Sequence, residues 1–246
     1  MYCGLGESAF SGAAHASGVT YLATRNIDGS VCAIMDDDSL ACGGSGGLSS
    51  ESFGGSGEYI QLNCSRKGCC AIDTNNEIHC SAGTPTSGPN ATPLIVAGND
   101  SDYCAVYSDG ESYCWGNGGF AGSIGGASAQ ANPSVPVPLA EPVVAYAGGQ
   151  FTSCWVHLNG TVSCSGNGGG TSNGAGGGGD TPSKIKDVND SELDNIIAVN
   201  GGRGTACGAA SNGDLYCWGD AGGQSASAVK IDLEGKAVRM PLDCME

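Results

Sequence analysis

CAVYSDGESYC, residues 104–114, decides the fold. Two short β-prone runs flank Ser108-Asp109-Gly110, so a three-residue loop there sets Tyr107 opposite Glu111 and Cys104 opposite Cys114. Such a loop is a type I turn closed by one residue at positive φ, a conformation that Gly, Asn and Asp tolerate. Opposed residues on paired strands hold their Cβ atoms near enough for a disulfide. The spacing recurs in CAIMDDDSLAC (32–42), CAIDTNNEIHC (70–80), CWVHLNGTVSC (154–164) and CGAASNGDLYC (207–217). The left-handed position then falls on Asp38, Asn76, Gly110, Gly160 and Gly213, each tolerant of it. Turn chemistry and cysteine spacing agree in every copy, and predict five hairpins bridged at Cys32–Cys42, Cys70–Cys80, Cys104–Cys114, Cys154–Cys164 and Cys207–Cys217.

Ten residues before each first Cys stands an aliphatic side chain in a β-prone run: Leu22, Ile60, Leu94, Val144 and Ile197. That run reads as a further strand, reached through a polar or Gly-containing bend. After the second Cys comes a Gly-rich loop, as in CGGSGG, CWGNGGFAG, CSGNGGG and CWGDAGG. Units of about forty residues with three or four strands read as blades of a β-propeller.

VVAYAGGQFTSCWVHLNGTVSCSGNGG (143–169), IIAVNGGRGTACGAASNGDLYCWGDAGGQ (196–224) and the Trp-Gly-Asn of CAVYSDGESYCWGNGGFAGSIG (104–125) resemble the repeats of the regulator of chromosome condensation family. Those repeats run from an apolar strand through a Gly-rich bend to a hairpin tipped by Asp-Gly. Trp-Gly-x-Asn and a Gly-Gln-Leu-Gly loop follow. The resemblance extends over nearly the whole chain and implies a β-propeller, commonly of seven blades. It departs from the pattern in its Cys pairs, which belong to secreted or surface versions, and in the mostly lost Leu-Gly ending. Charge and disulfides argue against the family's nuclear role, guanine-nucleotide exchange on chromatin.

The blade count reads as six. MYCGLGE (1–7) looks like the end of a hairpin, and AVRMPLDC (237–244) like a strand leading to a first Cys. Pairing of Cys244 with Cys3 would close the ring and remove an open edge; the alternative is a link between neighbouring subunits. Cys64 and Cys69 read as a local pair tying the bend of the second blade, with exchange between Cys69 and Cys70 left open. The expectation is an all-β, single-domain propeller of about six short blades over residues 1–246.

Composition supports thin repeated units. Of 246 residues 44 are Gly, aromatics are 6% and charged residues 14%, so one thick core would be meagre. The net charge of −16 argues against nucleic acid or an anionic membrane as partner. No apolar run approaches the ~18 residues of a membrane span, and Gly does not recur at every third position as in collagen. An even 14 Cys spread along the chain point to disulfides and an extracellular or cell-surface location. Zinc, the competing reading, calls for short Cys clusters with His nearby. Here only Cys64, Cys69 and Cys70 cluster, and His15, His79 and His157 are scattered. Met1-Tyr-Cys-Gly-Leu-Gly lacks the basic start and apolar stretch of a signal peptide, so residue 1 is expected to begin a processed chain or a fragment.

Two insertions, ANPSVPVPLAEP (131–142) and GNGGGTSNGAGGGGD (166–180), read as solvated loops, with partner contact as the alternative. Sequons stand at Asn63, Asn90, Asn99, Asn159 and Asn189, and would carry glycans in a eukaryotic secretory route. Asn159, at a hairpin tip, should be accessible, whereas Asn63 is crowded by Cys64. Thr84, Thr86, Ser87 and Thr92, among prolines, suit O-glycosylation.

No catalytic set emerges, and no cofactor or metal is expected. Asp36-Asp37-Asp38 reads as turn chemistry rather than a calcium site. His79 and His157 read as structural strand residues, and the Gly runs lack the Lys and helix of a phosphate loop. Trp115, Trp155 and Trp218 adjoin Cys and are expected to cover disulfides, the alternative being an exposed sugar-stacking surface. The functional expectation is a non-enzymatic extracellular structural or interaction protein, glycosylated and self-associating as a subunit of a surface assembly, appendage or filament. The alternatives are a secreted protein-binding propeller of the enzyme-inhibitor type and a carbohydrate-binding lectin.

Overall fold

Each ten-residue cysteine interval folds about its turn as the residue types require. Asp38, Asn76, Gly110, Gly160 and Gly213 take φ values between 60° and 88°. In four of the five turns the residue before them, Asp37, Asp109, Asn159 or Asn212, accepts the N–H two positions on with its side-chain oxygen. In the second turn Asp73 does this work for Asn75 and Glu77. The opposed cysteines are bonded in all five hairpins, with Cα atoms 4.0–4.1 Å apart.

The computed structural model describes residues 18–24, 30–43, 53, 57–66, 68–81, 85, 88–98, 102–116, 136–149, 152–166, 179–202, 205–219 and 225–232. These form five antiparallel sheets in chain order. The first three hold β1 (Val19–Thr24), β2 (Val31–Met35) and β3 (Leu40–Gly43); β4 (Tyr59–Cys64), β5 (Cys69–Asp73) and β6 (Ile78–Cys80); and β7 (Pro93–Gly98), β8 (Asp102–Tyr107) and β9 (Ser112–Gly116). The fourth holds β10 (Val143–Gly149), β11 (Thr152–His157), β12 (Val162–Gly166) and β13 (Gly179–Lys184). The fifth holds β14 (Ile196–Gly201), β15 (Thr205–Ala210), β16 (Leu215–Gly219) and β17 (Ser225–Ile231). The opening strands β1, β4, β7, β10 and β14 lie against one another in succession, so each sheet is a blade and its first strand is innermost. Cys3, Cys244 and the sixth blade they would close lie outside the described residues.

Blades are linked through their turns. The carbonyls of Asp38, Gly110 and Gly160 accept the N–H of Tyr59, Val143 and Ile196, the first residue of the next inner strand, at 2.7, 2.8 and 3.0 Å. Pro93 occupies that place in the third blade and has no N–H to give. Blades two and three are tied along their inner strands instead. The Gln61 amide bonds both the N–H and the C=O of Val96 at 2.9 Å, and Asn63 Oδ1 accepts the Gly98 N–H at 3.0 Å.

The core lies between blades, not within one. Strand neighbours point to opposite faces, so a Trp beside a Cys cannot cover its own disulfide. Trp115 packs into the layer that holds Cys70–Cys80, Trp155 into that of Cys104–Cys114, and Trp218 into that of Cys154–Cys164. Each indole covers the disulfide of the preceding blade. All three are fully buried, which removes them as a sugar-stacking surface.

Two further expectations are corrected. In blades two to five the residue facing the first Cys stands seven positions before it, at Asn63, Ala97, Ala147 and Asn200. In the first blade it is Ala23, because the bend there is two residues longer. Leu22 is therefore not the counterpart of Ile60, Leu94, Val144 and Ile197; Thr20 is. The proline-rich insertion is also not a free loop over its described part. The Val137 N–H donates to the Ser112 carbonyl at 2.8 Å, and the Val137 side chain is buried against blades three and four. Of the Gly-rich insertion, Gly179 and Asp180 already belong to β13, and 167–178 lie outside the described residues.

Candidate interaction face

The blade pattern gives the molecule two ends. At one stand the ends of the first strands and the starts of the second. There, backbone meets backbone: a Cβ on Gly201 would come within 2.9 Å of the Gly149 nitrogen. At the other end stand the hairpin turns and the starts of the inner strands, held together by the links from Asp38, Gly110 and Gly160.

The turn end carries a recurrent set of exposed aliphatic side chains, while Val19, Leu22 and Val188 are exposed outside that set. In blades two to five the inner-strand pairing shifts by one residue after Tyr59, Pro93, Val143 and Ile196. The extra residue is Ile60, Leu94, Val144 or Ile197. A bulge leaves its extra residue outside the ladder and re-aims its side chain. The preceding residue is buried in each case, while the bulge residues are 52, 56, 45 and 43% exposed. Leu158, at the tip of the fourth turn, is 71% exposed. The first blade has an exposed Thr20 at the bulge, so the fold accepts a polar side chain there.

Carboxylates form a partial collar, placed near Ile60, Val144 and Ile197. Asp38 bonds the residue preceding Ile60, and Glu58 lies two before it; Asp109 and Glu141 flank Val144 through the Gly110–Val143 link; Asp194 stands three before Ile197. The described lysines all lie at this end and all sit on carboxylates: Lys184 on Glu141 and Lys186 on Asp190 at 2.9 Å, and Lys230 on Asp214 at 2.7 Å. The Lys184 ammonium, with the Thr161 hydroxyl, holds the Glu141 carboxyl below its ordinary range. Two open clefts lie between blades here. One, of about 350 Å³, is lined by Asp109, Glu111, Leu139 and prolines 136, 138 and 142. The other, of about 480 Å³, is lined by Glu77, His79, Tyr107 and prolines 85, 89 and 93.

The residues singled out in the sequence do not converge on one reactive centre. His157 is buried, with Nδ1 on the Glu141 carbonyl at 3.1 Å and Nε2 on Ser163 Oγ at 2.8 Å; burial lowers its pKa. His79 Nε2 meets Asp73 Oδ2 at 3.0 Å. Burial pulls the Asp73 carboxyl up, but the Glu77 and Asn75 N–H groups and His79 together hold it below its ordinary value. Asp73, Glu77 and His79 bring three potential ligand atoms within 4.8 Å, with Asp73 also serving its turn. His15 lies outside the described residues. Asp37 caps its own turn through the Ser39 N–H and hydroxyl, which lower its pKa.

Cys64 and Cys69 are bonded to each other and Cys70 to Cys80, tying β4 to β5 and β5 to β6. Among the sequons, Asn90, Asn159 and Asn189 are exposed. Asn159 Oδ1 accepts both the Thr161 N–H and its hydroxyl. Asn63 is committed between blades through Gly98, and Asn99 lies outside the described residues. Sequence reasoning named the bulge aliphatics only as strand markers. Their exposure had a signal: adjacent apolar pairs such as Val143-Val144 and Ile196-Ile197 break the period of two, so one member must leave the core face.

Compared with known families and with curated proteins, the sequence matches none. Solved structures do match. Human WBSCR16 superposes with a TM-score of 0.67 at 15% identity, over 85% of this chain and 66% of that one. Yeast RCC1 (Prp20), in a structure bound to Kap60, gives 0.64 at 14% identity, over 87% of this chain and 61% of that one. The entire ectodomain of the receptor kinase CR4 from Physcomitrella patens gives 0.59 at 19% identity, over 82% and 53%. The chain thus spans two thirds or less of the length of these proteins. With bulged inner strands, hairpins tipped by left-handed residues and a core shared between successive blades, the chain folds as a β-propeller of the regulator of chromosome condensation type.

Proposed function

We propose that this protein is a non-enzymatic extracellular interaction module that binds another protein through its turn end. The observation that carries the reading is the set of aliphatic side chains left half-exposed at one repeat position in four blades, where the fold itself accepts threonine. Exposed apolar side chains grouped at one site mark contact surfaces. Six disulfides among the described residues suit an oxidising compartment. Among the described residues no helix is long and apolar enough to cross a membrane. The similar structures include a yeast propeller bound to Kap60 and a receptor-kinase ectodomain, so the same scaffold serves protein contact and extracellular display elsewhere.

In its finer form the proposal is a glycosylated subunit of a surface assembly, with Asn90, Asn159 and Asn189 as the exposed acceptors. The other finer form is a soluble binder of one protein. Light scattering of the oxidised protein, purified from its native source, separates them. Large particles that persist without reductant support the assembly; a monomer that co-purifies with one stoichiometric partner supports the binder. A monomer that co-purifies with nothing, its intact mass showing no glycan, argues against the module altogether.

A further inference from the structure

We infer that the turn end docks a basic protein segment, one that sets an apolar side chain between lysines or arginines. This deepens the reading above and rests on it. Ile60, Leu94, Val144 and Ile197 stand at equivalent places on inner strands that lie side by side, so they follow one another around the mouth of the propeller. None is required by the core: the residue before each is buried in its place, and the first blade folds with Thr20 instead. Exposed carboxylates stand near three of them: Asp38 and Glu58 by Ile60, Asp109 by Val144 and Asp194 by Ile197. The lysines at this end are already engaged at 2.7–2.9 Å.

Charge selects the occupant. An anionic lipid surface or a nucleic acid meets a carboxylate collar and is repelled. A second copy of this chain presents the same collar on a body of net charge −16, and like charges set against each other suppress that pairing. A cationic segment is steered in, and its apolar side chain covers the aliphatic row. The expected geometry has carboxylates at the rim and aliphatics at the centre, the arrangement of a desolvated hot spot within a polar ring.

The test uses the full oxidised chain and three synthetic peptides: Lys-Arg-Lys-Leu-Leu-Lys-Arg-Lys, the same peptide with Ser for both Leu, and an acidic version with Glu for every basic residue. Fluorescence anisotropy is expected to show the Leu peptide binding at least tenfold more tightly than the Ser peptide, with no binding of the acidic one. Ile60→Ser, Leu94→Ser, Val144→Ser and Ile197→Ser together should abolish the preference for Leu. Thr20→Leu, which completes the row, should strengthen it. Intact mass and melting temperature check that the variants fold. Equal binding of the Leu and Ser peptides, or a preference that survives the quadruple substitution, overturns the inference; so does concentration-dependent dimerisation that the same four substitutions abolish. If a native partner is still bound by the quadruple variant, this inference fails while the interaction module stands.

Discussion

At the scale of single residues, the sharpest constraints are a buried imidazole and the turn glycines. His157 is held neutral by burial, its pKa lowered. In the unfolded chain it titrates near the ordinary value of ~6.5. Between those two values the unfolded state binds the extra proton, so stability rises with pH there. Stability should therefore be full above the ordinary imidazole range and fall as pH drops below about 6.5. Below the folded-state value the loss levels off. Melting temperatures from pH 8 to 5 should show this decline, and His157→Gln should flatten it. A wild-type profile level across that range would remove the account. Gly160 and Gly213 both have φ above 80°, yet their surroundings differ. A Cβ at Gly160 would lie 2.8 Å from the Asn195 nitrogen, whereas nothing stands within 4 Å of one at Gly213. Gly213→Ala should cost about 1–2 kcal/mol from backbone strain alone. Gly160→Ala should cost visibly more in urea denaturation, and the opposite ranking would mean that the blade link through Gly160 is not as tight as drawn.

At the scale of elements, the disulfides and tryptophans act in pairs across blade boundaries. Trp155 packs on Cys104–Cys114, and its indole N–H donates to Ser112 Oγ at 3.0 Å. Trp155→Ala should cost about 3–5 kcal/mol, as large-to-small changes in a core do. Removing the bridge with Cys104→Ala and Cys114→Ala should cost about 3 kcal/mol from the freed loop. Because the two sites touch, the combined loss should depart from the sum by about 0.5–3 kcal/mol. The same cycle against Cys154–Cys164, which is adjacent to Trp155 in sequence but on the other face, should come closer to additive. Equal coupling to both bridges would contradict a core shared between neighbours. The hairpins were legible because a covalent spacing and a turn residue report the same register independently, as Cys104, Gly110 and Cys114 do. The inner strands were legible as strands but not in phase, since the bend between β1 and β2 is longer by two residues and no side chain marks that change. The partner of each Trp was hidden for a related reason. Sequence adjacency puts Trp155 beside Cys154, while the alternation of strand faces puts it against another blade. The packing of Val137 was equally invisible, because an extended Pro-rich run reads the same whether it is solvated or pressed on a sheet.

At the scale of the whole molecule, charge sets two opposed dependences on salt. The net charge is −16, and Glu141–Lys184, Asp190–Lys186 and Asp214–Lys230 are exposed or half-exposed pairs of the kind worth about 0–1 kcal/mol each. Self-repulsion therefore outweighs what screening takes from these pairs. The Debye length shortens from about 30 Å at 0.01 M salt to about 8 Å at 0.15 M. Repulsion between carboxylates on different blades acts over the longer of those distances and is largely lost at the shorter. The melting temperature should consequently rise as sodium chloride is raised from 0.01 to 0.3 M. Binding of the basic Leu peptide should weaken over the same range, because the collar that repels itself is the one that attracts the peptide. Aliphatic contact is not screened, so at the highest salt the Leu peptide should keep its lead over the Ser peptide even as both weaken. Differential scanning fluorimetry and anisotropy on one salt series read both curves. Stability and binding that move in the same direction would show that the acidic side chains are not gathered at the turn end in the way the hairpin tips place them.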